Sequence, residues 1–237
     1  MPTEVLVSRQ IGLPGPLTTV SLKGAVGLTG ALLAGFVFAH MAGNLQIYLG
    51  AEALNGYAAQ LKSMPAVLWS ARLVLLSALL VHLIGIVLLT RRNQAARPIP
   101  YSKTDTGPAS LASRTMVPTG VIILAFVIYH LLHFTLGVTD PSAFALQDGT
   151  GRHDVYSMVI RSFQQPAVAG GYIVAMCLLG LHLAHGIASL FQTLGWRRPN
   201  LGETIDLCGR TLALVIVLGN VSIPLACLVR FLEPMAG

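Results

Sequence analysis

Five apolar runs, roughly 24–48, 66–90, 116–138, 167–194 and 211–232, leave this chain little choice of fold. A hydrocarbon core about 30 Å thick takes about 20 apolar residues of helix to cross. Backbone amides in lipid must find their partners within the same segment or in a closed barrel. The expectation is a single all-α domain over residues 1–237, an integral membrane bundle of five transmembrane helices. Charged residues make up 10% of the chain and hydrophobic ones 54%, which is too apolar for a soluble domain. Residues 1–21 hold Glu4, Arg9, Pro14 and Pro16 and lack the apolar centre of a signal peptide, so the first span is expected to do the targeting.

Charge sets the expected orientation. Arg91, Arg92, Arg97, Lys103 and Arg114 follow the second run, Arg197, Arg198 and Arg210 follow the fourth, and Arg9 and Lys23 precede the first. Basic connections face the cytoplasm, which predicts a cytoplasmic N-terminus and an outside C-terminus. Glu52, Asp140, Asp148 and Asp154 then lie in outer connections. The formal charge of +6 follows from this topology and requires no nucleic-acid partner. Cys177, Cys208 and Cys227 form neither CxxC nor CxxCH, so this chain supplies no cysteine-ligated cluster and no covalent c-type haem. No internal repeat stands out.

Histidine is the anomaly. His40, His82, His130, His133, His182 and His185 all fall in the apolar runs, where an ionisable group is costly and marks function. His153, in a connection, is assigned no role. A single imidazole could serve as an interhelical hydrogen bond, but four helices each carrying one need a shared reason. Along a helix rising 1.5 Å per residue, His40 and His130 lie roughly 24 and 21 Å from the cytoplasmic starts of their outward-running spans. His82 and His182 lie roughly 24 and 22 Å from the outer starts of their inward-running spans. This sorts them into an outer pair, His40 with His130, and an inner pair, His82 with His182. Two imidazoles from two helices at one depth suit a bis-histidine b-type haem, and two such sites suit an electron path across the bilayer. A di-iron carboxylate centre or a catalytic zinc site would need acidic groups, and the spans hold none at depth. Within the HxxH pairs, Gly171, Ala175, Gly186 and Ser189 give His182 a smaller-residue face than His185 has. Ala71, Ala78 and Gly85 do the same for His82, while Thr119 separates His130 from His133 only weakly.

These residues resemble a known family. The segments "GFVFAHMAGNLQ", "LLVHLIGIVLLTRRNQAARP", "SRTMVPTGVIILAFVIYHLLHFT" and "GYIVAMCLLGLHLAHGIASLFQTLGW" are similar to the single-chain, five-helix, di-haem cytochrome b anchor of succinate:quinone oxidoreductase and fumarate reductase. The last span matches only in being hydrophobic. The resemblance implies axial ligation of two b haems by His40 with His130 and by His82 with His182, leaving His133 and His185 beside the haems. It implies an FAD-binding flavoprotein and an iron–sulfur subunit docked on the cytoplasmic face of a prokaryotic cytoplasmic membrane. Electrons would pass through this chain to a quinone, taken as menaquinone, and this chain would hold no dicarboxylate site. A higher oligomer of the whole complex is left open.

On the same footing, Ser113 and Arg114 are expected near the inner haem's propionates, where a guanidinium pairs well with a carboxylate. Arg72, inside the second span, is expected at an outer propionate or at the quinone, with snorkelling to the interface as the alternative. Asn44, Gln46, Glu52 and Tyr57 are the remaining quinone candidates, although "GAEALNGYAAQLK" reads equally as a surface amphipathic loop. Some members of the family carry a glutamate two residues before the fourth-span ligand as a proton carrier, and here that place is Gly180. Two other functions fit the histidines less closely. One is the cytochrome b anchor of a hydrogenase or formate dehydrogenase, told apart by its partner subunits. The other is a proton-relay transporter, which would carry no chromophore and would be expected to carry unpaired carboxylates.

Overall fold

The computed structural model describes residues 18–96, 115–198 and 200–235. Among them the chain is all-helical, with five helices long and apolar enough to cross a membrane, as a multi-pass membrane protein requires. In chain order, α1 runs Thr19–Asn44 and tightens into a 3₁₀ turn, Leu45–Leu49. Then come α2, Ala51–Lys62, and α3, Pro65–Ala95. The fourth element, α4, runs Met116–His130 and loosens into a π turn, Leu131–Thr135. Two short helices, α5 (Pro141–Phe144) and α6 (Val155–Phe163), precede α7, Pro166–Thr193, and α8, Gly202–Leu228.

Local chemistry sets most of these starts. Thr18 caps α1 by accepting the Ser21 amide at 3.1 Å. Pro65, Pro141 and Pro166 open α3, α5 and α7 at the position where no amide partner is needed. Asp140 and Asp154 cap α5 and α6. Helix α8 begins at Gly202 rather than near residue 211, because Glu203, Asp206 and Arg210 belong to its polar first turns. Glu203 favours the helix N-terminus there, and Arg197 pairs with Asp206 at 2.7 Å.

Four of the long helices form a square with one side open. Helix α3 packs on α1, α1 on α7 and α7 on α4, while α3 and α4 make no comparable contact among the described residues. The fifth, α8, packs chiefly along α7 and also touches α1. Leu73, Leu80, Ile84, Val121, Val174, Leu214 and Leu218 remain exposed on the perimeter, as lipid-facing side chains should. One end of the square is capped by the 3₁₀ turn, α2, α5 and α6, with Ile47, Leu54, Ile160 and Phe163 buried beneath them. At the opposite, basic end lie Arg91, Arg92 and Arg197. Which end faces the cytoplasm is a matter of the charge rule alone.

Small residues let the helices approach, the usual device where lipid removes the hydrophobic drive to associate. Gly85 receives Val26 and Gly219 receives Met41, leaving no room for a β-carbon at either place. Gly85 therefore serves α1–α3 packing and not a haem face. Gly171, by contrast, has nothing within 4 Å of where a β-carbon would stand. Gly180 lies directly under Val217 of α8, so that position is filled by helix packing. Gly180→Leu is expected to cost about 1–3 kcal/mol by overpacking, read as a lower detergent melting temperature with all histidines still present.

Candidate functional site: two histidine pairs on the diagonals of the bundle

The square places α1 opposite α4 and α3 opposite α7. His40 of α1 and His130 of α4 meet across the first diagonal, their ring centroids 5.8 Å apart and their planes at 84°. Neutral imidazole is the commonest metal ligand, and two rings this close would each have a nitrogen to give to one metal held between them. The observed spacing suits that arrangement. His40 itself remains exposed, with the Phe36 ring stacked against it at 5.4 Å.

Across the other diagonal lie His82 of α3 and His182 of α7. Each rests on the helix next to its own. His82 Nδ1 lies 3.1 Å from the Val26 carbonyl and 3.3 Å from Thr29 Oγ1, with its ring edge over Gly30. His182 Nδ1 lies 3.3 Å from Thr119 Oγ1, with its ring edge over Gly120. His82 thus stands level with Gly30 of α1, and His40 lies further along the same helix by about 15 Å of rise. The separation from Gly120 to His130 on α4 is the same. Two pairs, each joining opposite helices, occupy two levels.

The remaining histidines have other company. His133 follows the start of the π turn, in which the Leu136 amide reaches back to the Leu131 carbonyl at 2.9 Å. It is buried to 4% exposure, stacked on Phe134 at 4.0 Å, with Nδ1 3.0 Å from the Tyr172 hydroxyl. Tyr172 Oη also lies 3.4 Å from His130 Nδ1. Tyr172 is thus a site residue that the sequence reading missed. His185 is half-buried on α7, one turn beyond His182. His153, given no role above, joins the cap. Its Nε2 donates to the Phe144 carbonyl at 2.8 Å, and Nδ1 faces Lys62 Nζ at 3.3 Å.

A signal for this arrangement was present and overlooked. "TGALLAGFVFAH" in α1 and "TGVIILAFVIYH" in α4 share Thr, Gly, Phe, Val and His in register. The two helices therefore share a local pattern running from Thr-Gly to His. In each copy the Thr-Gly seats an inner-pair histidine from the neighbouring helix, and the final His belongs to the outer pair. Aligning His82 with His182 also sets Arg72 of α3 against Tyr172 of α7.

The quinone candidates cluster loosely at the capped end. Asn44 and Gln46 are half-buried at the end of α1 and in its 3₁₀ turn, and the Tyr57 ring packs against Gly43. Arg72 lies over the exposed Trp69 ring, 5.0 Å from its centroid, the posture of an interfacial cation. Glu52 is held by both terminal nitrogens of Arg152, at 3.0 and 2.6 Å. Arg152 also donates through Nε to Asp148 at 2.8 Å. Ser113 and Arg114 lie outside the described residues. Among those described, no three His, Cys, Asp or Glu side chains gather as a metal-binding group.

The Arg152 hydrogen bond and charge hold the Glu52 carboxyl below its ordinary range. The Thr150 hydroxyl, then Arg152, does the same for Asp148. A depressed carboxylate stabilises the folded cap above its unfolded pKa, about 4, and loses that contribution as pH falls through the depressed value. Amide exchange in residues 148–154, corrected for intrinsic rate, is therefore expected to quicken below about pH 4, and Glu52→Gln to quicken it already at neutral pH.

No family model, no curated protein and no solved structure matches this chain.

Proposed function

We propose that this chain is the membrane anchor and electron-transfer subunit of a succinate:quinone oxidoreductase, a di-haem cytochrome b. The observation that carries the reading is that His40 and His130 meet across one diagonal of the bundle while His82 and His182 are each seated on a neighbouring helix at a second level. His40 and His130 would hold one b haem, and His82 and His182 the other. With both bound, the chain has reversible one-electron carriers at two depths of the bilayer.

The chain's own residues position and insulate. Val26, Thr29 and Thr119 orient the inner pair, Tyr172 touches His130, and the apolar walls of α1, α4 and α7 keep water from the path. Partner subunits carrying FAD and iron–sulfur clusters would dock at the basic end, which the charge rule assigns to the cytoplasm. Quinone, taken as menaquinone, would meet the chain near the capped end, where Asn44, Gln46, Tyr57 and Arg72 offer hydrogen-bonding groups. Quinone reduction there moves each electron across the membrane field, worth about 2.3 kcal/mol per 100 mV for a full crossing. Gly180, packed under Val217, offers no group for a compensating proton path.

The test is a reduced-minus-oxidised spectrum of the purified complex with pyridine haemochrome counting. Two b-type haems per chain and a co-purifying flavoprotein support the proposal. A nickel or molybdenum subunit reassigns the anchor to another respiratory enzyme, and an intact preparation without haem ends the electron-path reading.

A further inference from the structure

We infer that Thr29 and Thr119 are positioning residues that fix the tautomer of His82 and His182, keeping the proton on Nδ1 and leaving Nε2 as the ligating nitrogen. The inference rests on the haem reading above and adds to it the groups that prepare the inner pair.

The hydrogen-bond directions decide the tautomer. Thr29 Oγ1 donates its proton to the helix carbonyls behind it, Ala25 O at 2.7 Å and Val26 O at 3.2 Å. Towards His82 Nδ1, 3.3 Å away, the hydroxyl can then only accept. The Val26 carbonyl, 3.1 Å from the same nitrogen, is an acceptor by nature. Nδ1 facing two acceptors must carry the proton, and a neutral imidazole has only one. The lone pair is therefore on Nε2.

The same construction recurs on another pair of helices. Thr119 Oγ1 donates to Thr115 O at 2.7 Å and Met116 O at 3.1 Å, and lies 3.3 Å from His182 Nδ1, towards which it can then only accept. Beside each threonine stands a glycine that makes room for the imidazole. A β-carbon on Gly30 would lie 3.2 Å from His82 Cε1, and one on Gly120 would lie 3.4 Å from His182 Cε1. Threonine in a membrane helix commonly bonds back to its own helix with no further purpose. One such contact would carry little weight, but the same Thr-Gly dipeptide seating a histidine from a neighbouring helix, twice, is a built feature. A ligating histidine normally gives its other N–H to an acceptor that orients the ring and raises its basicity. The outer pair is arranged differently, since His130 Nδ1 faces the Tyr172 hydroxyl, which can give or take a proton. Disturbing the threonines should therefore touch one haem and spare the other.

The experiment uses the whole complex with Thr29→Val, Thr119→Val and the double variant, beside Thr29→Ser and Thr119→Ser. Haem per chain, the two resolved midpoint potentials and the low-spin EPR signals are measured. Losing the acceptor makes the imidazole a weaker electron donor and favours the reduced metal. The expected result is a raised potential and altered EPR signal for one haem only, larger in the double variant, with the serine variants like wild type. Should a valine variant lose that haem altogether, recovery by serine supports the role of the oxygen, and failure of serine to restore it overturns the inference. Two haems with unchanged potentials and signals in the double variant overturn it as well. A wild-type complex with no haem removes the function reading beneath it, a result visible before any variant is made.

Discussion

On the function proposed above, His82→Leu is expected to leave one b haem per chain in place of two and to take succinate-to-quinone electron transfer to background. His182 alone offers iron a single imidazole, and leucine in place of His82 also abandons the Val26 carbonyl and the Thr29 hydroxyl that seat the ring. His40→Leu is expected to remove the other haem, since His130 loses the ring that faces it at 5.8 Å. The controls are the second histidines of the HxxH pairs. His133→Leu and His185→Leu should both retain two haems by pyridine haemochrome. The first should also destabilise the chain by about 1 kcal/mol, the loss of one buried hydrogen bond, because the Tyr172 hydroxyl keeps only its longer contact to His130 at 3.4 Å. Loss of a haem in His133→Leu with retention in His130→Leu would reverse the assignment within α4.

The second large effect lies far from the histidines. Asp154 is 3% exposed, and its Oδ1 accepts both the Ser157 amide that begins α6 and the Asn55 side-chain amide of α2, each at 3.0 Å. Asn55, 1% exposed, accepts the Tyr156 amide in return at 2.9 Å. Asp154→Ala removes a helix cap, about 1 kcal/mol, and leaves the buried Asn55 amide without its acceptor, about 1–3 kcal/mol more. The expected loss is about 2–4 kcal/mol, or a melting temperature lower by about 5 °C or more. Asp154→Asn, which keeps an acceptor oxygen, should recover much of it. Haem content should survive both variants at low temperature, because the pairs are held by α1, α3, α4 and α7 and not by the cap.

The spans were legible because lipid imposes a length and an apolar content that few other folds share. Their ends were less so wherever polar residues continue a helix. Glu203, Asp206 and Arg210 hid the first turns of α8, and "GAEALNGYAAQLK", whose alternative to a quinone site was a surface amphipathic loop, instead forms the helix α2 over Ala51–Lys62. The shared level of His40 and His130 was read from depth, since helical rise converts sequence position into height, and their diagonal placement came from the structure. Depth has no azimuth, so it could not show that His133 turns away into Phe134 and Tyr172 across a π turn. Small residues beside a histidine were equally ambiguous in one dimension, as Gly85 under Val26 and the open Gly171 demonstrate. Tyr172 was passed over because a tyrosine in a membrane helix carries no distinctive spacing, and only the partner helix gives it meaning.

The tie between Asn55 and Asp154 joins positions 99 apart in the sequence, and α3 and α4 both lie between them. During synthesis, Asp154 cannot reach its partner until α4 has crossed the bilayer and delivered the following connection to the same side. Contacts so distant along the chain are slow to form, which places closure of the cap late in assembly. Protease access to α2 or α6 would then time the completion of insertion, independently of any cofactor.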